Sequence, residues 1–583
     1  MTKVFAADAT PNLTVAGAVE EISSVRGRIN LNGLWKFQPA QGSTLDKPLE
    51  SDWGTMWVPG TWARGAGRLG SIQSKGKSDG WKIPGEALIA GWYERTIPVP
   101  MSWSGREIFL DLRRVSTDAQ IWVNGQDCGK IQWPHGQVII TNAVKPGQDA
   151  KLRVMVIATP DEGEKVDFMG YAQESKSKAQ LSSAGIIGEV FLESRPRGAF
   201  VSDLFVKTST RKGEISLEAE LSGLVQAGDI SFTAIIRDSK GGEVKKFTQS
   251  LPAKAEKTQV LTMTWSWTDA KLWDLDQPNL YTLYLSAKGA GLQDEAVLRF
   301  GFREFWIEGR NFILNGIPLR LRPALLGSDR TQISTMDSML TGMRAQGFNI
   351  CQIWPDSTYE RGKWNFHELW AERADEKGMP IIHVAEPANR FLFDSNFKPI
   401  WSQNREKYQK VMEAELRRIR NHPSILIWGT MGNLANHQSD QNPRYIGQKA
   451  KLLQVTPLPD GVAEILDMIK KVDPTRPVFA HAGNRAGDIF TSNHYLNFIP
   501  LQEREEWLSD YVKTGDVPYI GIEFGIPLNI SWMRGRAGYG PSLRSEPLGT
   551  EFAAIYGGSS VYGNEPSFYR NALVAKKTDK GWG

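Results

Sequence analysis

The chain has 583 residues, too many for one hydrophobic core; domains of ordinary size would number about three to five. Hydrophobic residues make up 41% and charged residues 23%, and no apolar run reaches the ~18 residues of a membrane-crossing helix, so no membrane span is expected. The formal net charge is +4, with Lys and Arg interleaved among Asp and Glu, so the basic stripe of a nucleic-acid partner is missing.

The two cysteines, Cys128 and Cys351, are too far apart in sequence to suggest a disulfide framework or a thiolate metal site. The start, Met1 to Ala9, has small residues like the end of a secretory signal but lacks its apolar core. It reads either as an ordinary cytoplasmic start or as the remnant of a clipped signal, with an extracytoplasmic location slightly favoured. There are 21 tryptophans. Most are expected in cores, and the remainder could offer flat apolar faces to sugar rings.

From about residue 25 to 195, short β-like runs are expected at 34–37, 93–99, 107–112, 119–123, 151–157 and 190–192. Turns such as Asn124-Gly125 and Pro146-Gly147 separate them, which predicts an antiparallel sandwich or jelly roll. A second series runs from 201 to about 302, with strands predicted at 202–207, 214–221, 230–236, 258–265 and 280–287, spaced like an immunoglobulin-like sandwich. After Asn315-Gly316 the period changes. Strands are expected at 320–326, 348–354, 380–385, 424–429, 478–481, 488–494 and 519–524, and helices at 334–346, 366–377, 405–420 and 461–472.

That alternation implies parallel strands with helical crossovers, and about seven strands in this length favour a TIM barrel, (β/α)8, over an open sheet. An eighth strand is not evident. The tail from 525 to 583 is rich in Gly, Ser, Pro and Arg, so the barrel is either incomplete in this chain or closed by an irregular segment. The domains expected are an extension over 1–25, a jelly roll over 26–197, an immunoglobulin-like sandwich over 198–304 and the barrel over 305–583.

A TIM barrel builds its active site at the C-terminal ends of its strands. Those ends carry Asp356, Glu386, Asn433, His494, Tyr495 and Glu523. Glu523 interrupts the apolar run Tyr519-Ile-Gly-Ile-Glu-Phe-Gly525, and a carboxylate there needs either a partner or a function. The bland reading is a rim ion pair to an arginine such as Arg534. The functional reading is a nucleophile that attacks an anomeric carbon and forms a glycosyl-enzyme intermediate.

Several motifs in order resemble glycoside hydrolase family 2, the β-galactosidases, β-glucuronidases and β-mannosidases. They are Leu31-Asn-Gly-Leu-Trp35, Trp57-Val-Pro-Gly-Thr-Trp62, Gly91-Trp-Tyr93, Trp122-Val-Asn-Gly125, Trp273 with Pro278-Asn-Leu-Tyr281, and Asn311-Phe-Ile-Leu-Asn-Gly316. Each is weak alone; their order and spacing carry the resemblance over nearly the whole chain. It implies a sugar-binding jelly roll, a sandwich and a catalytic barrel, with Glu523 at the position of the family's nucleophile.

The family's fourth-strand signature ends in Gly-Asn-Glu, its Glu being the general acid/base and its Asn the holder of the sugar 2-hydroxyl. Here the run is Asn421-His-Pro-Ser-Ile-Leu-Ile-Trp-Gly-Thr-Met-Gly-Asn433-Leu434. The Asn is kept and the Glu is replaced by Leu434. Leucine transfers no proton, while retaining hydrolysis needs two carboxyls about 5–5.5 Å apart.

His437 and Asp440 are the local candidates for the missing acid, with a solvated loop His as the plain alternative. Glu386 or Asp356 could donate across the pocket, although by resemblance Glu386 fits a structural or substrate-binding carboxylate. His494-Tyr495 resembles a substrate-contacting rim, with core packing as the alternative for Tyr495. Asp356 sits where the family selects among sugar hydroxyls, with a helix or loop cap as its alternative.

The expected function is hydrolysis of O-glycosyl bonds in a β-linked oligo- or polysaccharide, with Glu523 as nucleophile and a non-standard proton donor. The alternative is a carbohydrate-binding or scaffold protein derived from such a hydrolase. No cofactor and no metal are expected, because no Gly-rich phosphate loop or ligand spacing is visible. Sugar identity and oligomeric state are not encoded in any motif.

Overall fold

The computed structural model describes residues 19–40, 47–51, 53–60, 72–73, 90–116, 118–132, 135–158, 185–325, 333–353, 367–385, 388–393, 398–430, 446, 459–494 and 506–524. It divides into two compact units, one of residues 1–306, 313–429 and 467–476, the other of 307–312, 430–466 and 477–583.

In the first unit, the N-terminal β region forms two large antiparallel sheets. One has five strands and the other seven, the latter centred on Asp149–Ile157, Ala90–Pro98 and Gly33–Pro39. Period-two alternation sends Trp35, Phe37, Tyr93, Leu152 and Val154 of one sheet into the same apolar cluster as Leu110, Leu112 and Leu192 of the other. Asn124 and Gly125 both take left-handed conformations, φ 51° and 83°, the turn that Asn-Gly forms between right-twisted strands. The Asn124 carboxamide also accepts from the Lys151 amide at 2.9 Å.

The second β region pairs a three-stranded sheet, Phe200–Ser209, Glu214–Ser222 and Thr258–Ser266, with a four-stranded one that encloses the same core. Two of its strands, Glu243–Ala253 and Leu292–Phe300, are absent from the sequence expectation. The first is an edge strand whose lysines and alternating exposure mask its pattern. The second carries Asp294, fully buried and paired with Arg26 at 2.5 Å while accepting from the Val201 amide at 2.8 Å. A buried carboxylate conceals an apolar strand, and here it ties the two β regions together.

Four parallel strands then pair in sequence: Pro323–Leu325, Ile350–Ile353, Ile381–Val384 and Ile425–Thr430. Helices Ile333–Ala345, His367–Lys377 and Trp401–Ile419 lie in the connections. The strands are short and apolar, as expected of a sheet covered on both faces. In the second unit, Phe490–His494 and Tyr519–Phe524 form a parallel pair. All seven expected strands are present, and residues 525–583, where an eighth would fall, lie outside the described residues. Among the described residues no helix is long and apolar enough to cross a membrane.

The start of the fourth barrel strand is fixed by buried charge. Arg303 donates to the carbonyls of Pro423 at 3.1 Å and Ile425 at 2.8 Å. Arg476 donates to Ile425 O at 2.6 Å and His422 O at 2.9 Å, and pairs with Asp473. Asp473 also accepts from the Trp428 indole at 2.8 Å and from the Thr475 amide and hydroxyl at 2.9 and 2.6 Å. Burial alone would raise the Asp473 pKa, but these partners hold it below the usual carboxylate range.

Asp375 accepts from the Ser424 amide at 3.0 Å and lies 2.6 Å from Nδ1 of His422. Burial disfavours the His422 cation, yet Asp375 and the neighbouring Glu368 and Glu372 outweigh it, and the pKa is raised. Asn421 accepts from the Val206 amide at 2.9 Å and donates to Leu204 O at 2.8 Å, so the same segment grips the second β region. Asp473→Ala would leave Arg476 charged and unpaired in the core. Urea unfolding should show a loss of about 3–5 kcal/mol.

A second buried cluster joins the first β region to the barrel helices. Arg113 lies 3.1 Å from Asp111, 3.5 Å from Glu193 and 3.6 Å from Glu368. Glu189, beside it, accepts from Asn32 at 3.1 Å, and burial with the Glu368 charge pushes its pKa to about 7. The folded value lies above the unfolded one, so the folded state holds the extra proton, and stability falls as pH rises from about 4.5 to about 7. Glu189→Gln should therefore raise Tm relative to wild type at pH 8 and leave it nearly unchanged at pH 4, as read by thermal unfolding at the two pH values.

Candidate active site

Glu523 is the penultimate residue of the strand Tyr519–Phe524 and pairs in register with Asn493; the next pair is His494 with Phe524. Both strands run in parallel, so Glu523 and His494 stand at the end where a barrel assembles its chemistry. The register shifts between Ser492 and Asn493, leaving Ile522 as the extra residue. A bulge of this kind changes the phase of side-chain alternation, here immediately before Glu523. Of Glu523 and His494 the backbone alone is described.

Asp356, Glu386, Asn433, Leu434, His437, Asp440 and Tyr495 lie outside the described residues. The strands leading to several of them are defined. Ile350–Ile353 precedes Asp356, and Ala385, whose amide donates to Gly429 O at 2.8 Å, directly precedes Glu386. His383 on that strand is buried, 3.0 Å from Glu415 and edge-on to Trp428. It braces the third and fourth strands against the helix Trp401–Ile419. Among the described residues no group of three His, Cys, Asp or Glu side chains could hold a metal ion.

In the second unit the base of the Glu523 strand is packed by aromatic rings. Tyr519 lies 6.2 Å from Phe490 and 5.9 Å from Tyr511, and the Tyr511 hydroxyl donates to Val517 O at 2.9 Å. The sequence reading missed how the fifth and sixth strands are joined. The Thr491 hydroxyl donates to Ala480 O at 2.6 Å and accepts from the Gly483 amide at 3.3 Å. Its backbone exchanges two hydrogen bonds with Asn484, at 2.8 and 2.9 Å. The His481 amide donates to Thr430 O at 2.8 Å, fixing the last residue before the Met431-Gly-Asn433 segment. The polar residues inside the run 488–494, Thr491 among them, were the available signal.

The profile of glycosyl hydrolases family 2 matches residues 199–303, and that of the TIM barrel domain of glycosyl hydrolases family 2 matches residues 303–531. Together they span more than half of the sequence. The chain belongs to glycoside hydrolase family 2.

Among curated relatives of this family 2 chain, a β-glucuronidase of Paenibacillus borealis is 22% identical over 412 residues, covering 66% of this chain and 63% of its own length. A β-galactosidase of Clostridium acetobutylicum is 23% identical over 533 residues, covering 85% and 53%. The chain thus spans less than two thirds of the length of either. Among solved structures, a Bifidobacterium dentium β-glucuronidase complexed with coumarin-3-O-glucuronide superposes with a TM-score of 0.64 at 17% identity, over 92% of this chain and 88% of that one. At that identity the likeness establishes the fold.

Thr491→Val removes both hydroxyl bonds and leaves the Ala480 carbonyl and the Gly483 amide bonded only to each other. It should cost about 1–3 kcal/mol in urea unfolding, whereas Thr491→Ser, which keeps the hydroxyl, should cost less.

Proposed function

We propose that this protein hydrolyses O-glycosyl bonds of a β-linked oligo- or polysaccharide, with Glu523 as nucleophile and a proton donor other than the family's usual Glu. The observation that carries the reading is the position of Glu523, at the C-terminal end of a parallel strand in a family 2 barrel domain. The finer architecture belongs to the same proposal: a jelly roll over 26–197, an immunoglobulin-like sandwich over 198–304 and a (β/α)8 barrel over 305–583.

In this scheme the Glu523 carboxylate attacks the anomeric carbon as the leaving oxygen departs, and water then displaces the carboxylate from the glycosyl-enzyme. Asn433 holds the 2-hydroxyl, while Glu386, Asp356, His494 and Tyr495 contact the remaining sugar. His437 and Asp440 are the candidates for delivering the proton that Leu434 cannot.

A second reading, a carbohydrate-binding protein derived from a hydrolase, is motivated by Leu434 and by the lack of an evident eighth strand in the sequence. Activated aryl β-glycosides separate the two, because a good leaving group departs without an acid. A nucleophile at Glu523 gives a burst of aryl alcohol and a glycosyl adduct on the peptide containing Glu523, detected by mass spectrometry. In Glu523→Ala both should disappear, with turnover falling at least about a thousandfold. Unchanged turnover in Glu523→Ala sinks the mechanism, and silence across a broad glycoside panel with retained sugar binding favours the binding protein.

A further inference from the structure

We infer that the side-chain amide of Asn484 binds a hydroxyl group of the sugar, which makes the turn leaving the fifth barrel strand part of the substrate site; this rests on the glycosidase reading above. The turn joins Val478–Ala480 to Phe490–His494. Loops ordinarily lie on the surface, but here His481, Ala482, Asn484 and Ala486 are all buried.

Backbone hydrogen bonds brace the turn at several points. Besides the bonds of His481 and Thr491, Gly483 N donates to Ala480 O at 3.0 Å, Ala486 N to Gly483 O at 3.0 Å and Ala480 N to Ala486 O at 3.1 Å. These bonds hold Ala482 and Asn484 at φ 47° and 54°, a left-handed conformation that is unfavourable for an L-residue such as alanine. The turn is therefore rigid before any ligand arrives.

Within it the side-chain oxygen of Asn484 is left over. Asn484 is 4% exposed, and its Oδ1 is buried without a hydrogen-bond partner. A buried acceptor without a donor is destabilising. Asparagine tolerates the positive φ, but glycine would meet it more cheaply and leave no orphaned amide. What the amide oxygen lacks is a hydrogen-bond donor, which a sugar hydroxyl supplies.

The position suits a sugar. The turn leaves the C-terminal end of its strand; Asn484 pairs with Thr491, and Thr491 with Ile520, three residues before Glu523. Strand spacings then set the Asn484 and Glu523 α-carbons on the order of 13 Å apart. A pyranose with a hydrogen bond at one end is of a size with that span.

The test uses Asn484→Gly, which relieves the backbone, alongside Asn484→Ala in the full chain. The probes are the 4-nitrophenyl β-glycoside turned over best and its monodeoxy analogues. In Asn484→Gly, kcat/KM on the parent glycoside should fall roughly ten- to a hundredfold with Tm unchanged or raised. The penalty should vanish on the one deoxy analogue that lacks the contacted hydroxyl. An equal effect on every analogue, or none, overturns the assignment.

If wild type turns over no glycoside, titration calorimetry with the monosaccharide that wild type binds most tightly, among glucose, galactose, mannose and glucuronate, replaces kinetics, and equal affinity in wild type and Asn484→Gly overturns the assignment too. Glu523→Ala keeps the two ideas apart. Full turnover in that variant defeats the glycosidase mechanism, while an inactive Glu523→Ala beside an unaffected Asn484→Gly defeats only the role of Asn484.

Discussion

The first unit depends on how the strand Ile425–Thr430 is anchored at its start. Arg303 reaches in from the end of the second β region, Arg476 and Asp473 from beyond the helix Val462–Val472, and Asp375 from the helix His367–Lys377. Arg303, Arg476 and Asp375 converge on the backbone between His422 and Ile425, while Asp473 pairs with Arg476 and accepts from the Trp428 indole. Buried charges of this kind are expensive to desolvate and are retained only when every lone pair and proton is used. The network meets that demand through backbone carbonyls, which ties its electrostatics directly to strand position.

This anchor changes the meaning of the Asn421-His-Pro-Ser run. Read as part of a catalytic signature, the whole segment points toward the active site. Its first residues instead hold the opposite end of the strand: Asn421 grips the second β region and His422 pairs with Asp375. Chemistry, in the proposed scheme, begins only after Thr430, so one continuous motif combines a structural base with a functional rim. The strand transmits rigidity from one to the other because it is buried along its whole length.

The rim in the second unit is organised by similar logic with neutral groups. Thr491 joins the turn after Ala480 to the strand beside Glu523, and His481 fixes the carbonyl of Thr430. Hydrogen bonds in a buried turn define positions more sharply than apolar contacts do, because their angles are restricted. A site that must orient a sugar benefits from such stiffness, since misplacement of reacting groups by an ångström is costly.

Periodicity made the seven barrel strands legible, and the Asn-Gly turn at 124–125 followed from the intrinsic conformational preference of those two residues. Family membership was legible from the order of the motifs, and Glu523 stood out as a charge in an apolar strand. These features are local, and local sequence contains their cause. The strands Glu243–Ala253 and Leu292–Phe300 were not legible, because an edge strand needs little apolar pattern and Asp294 is neutralised by Arg26, 268 residues away in the chain. The bonds of Thr491 and the orphaned amide of Asn484 were equally hidden. Whether a polar side chain is paired, solvated or left waiting for a ligand depends on what long-range packing brings beside it, and only the tertiary structure decided that.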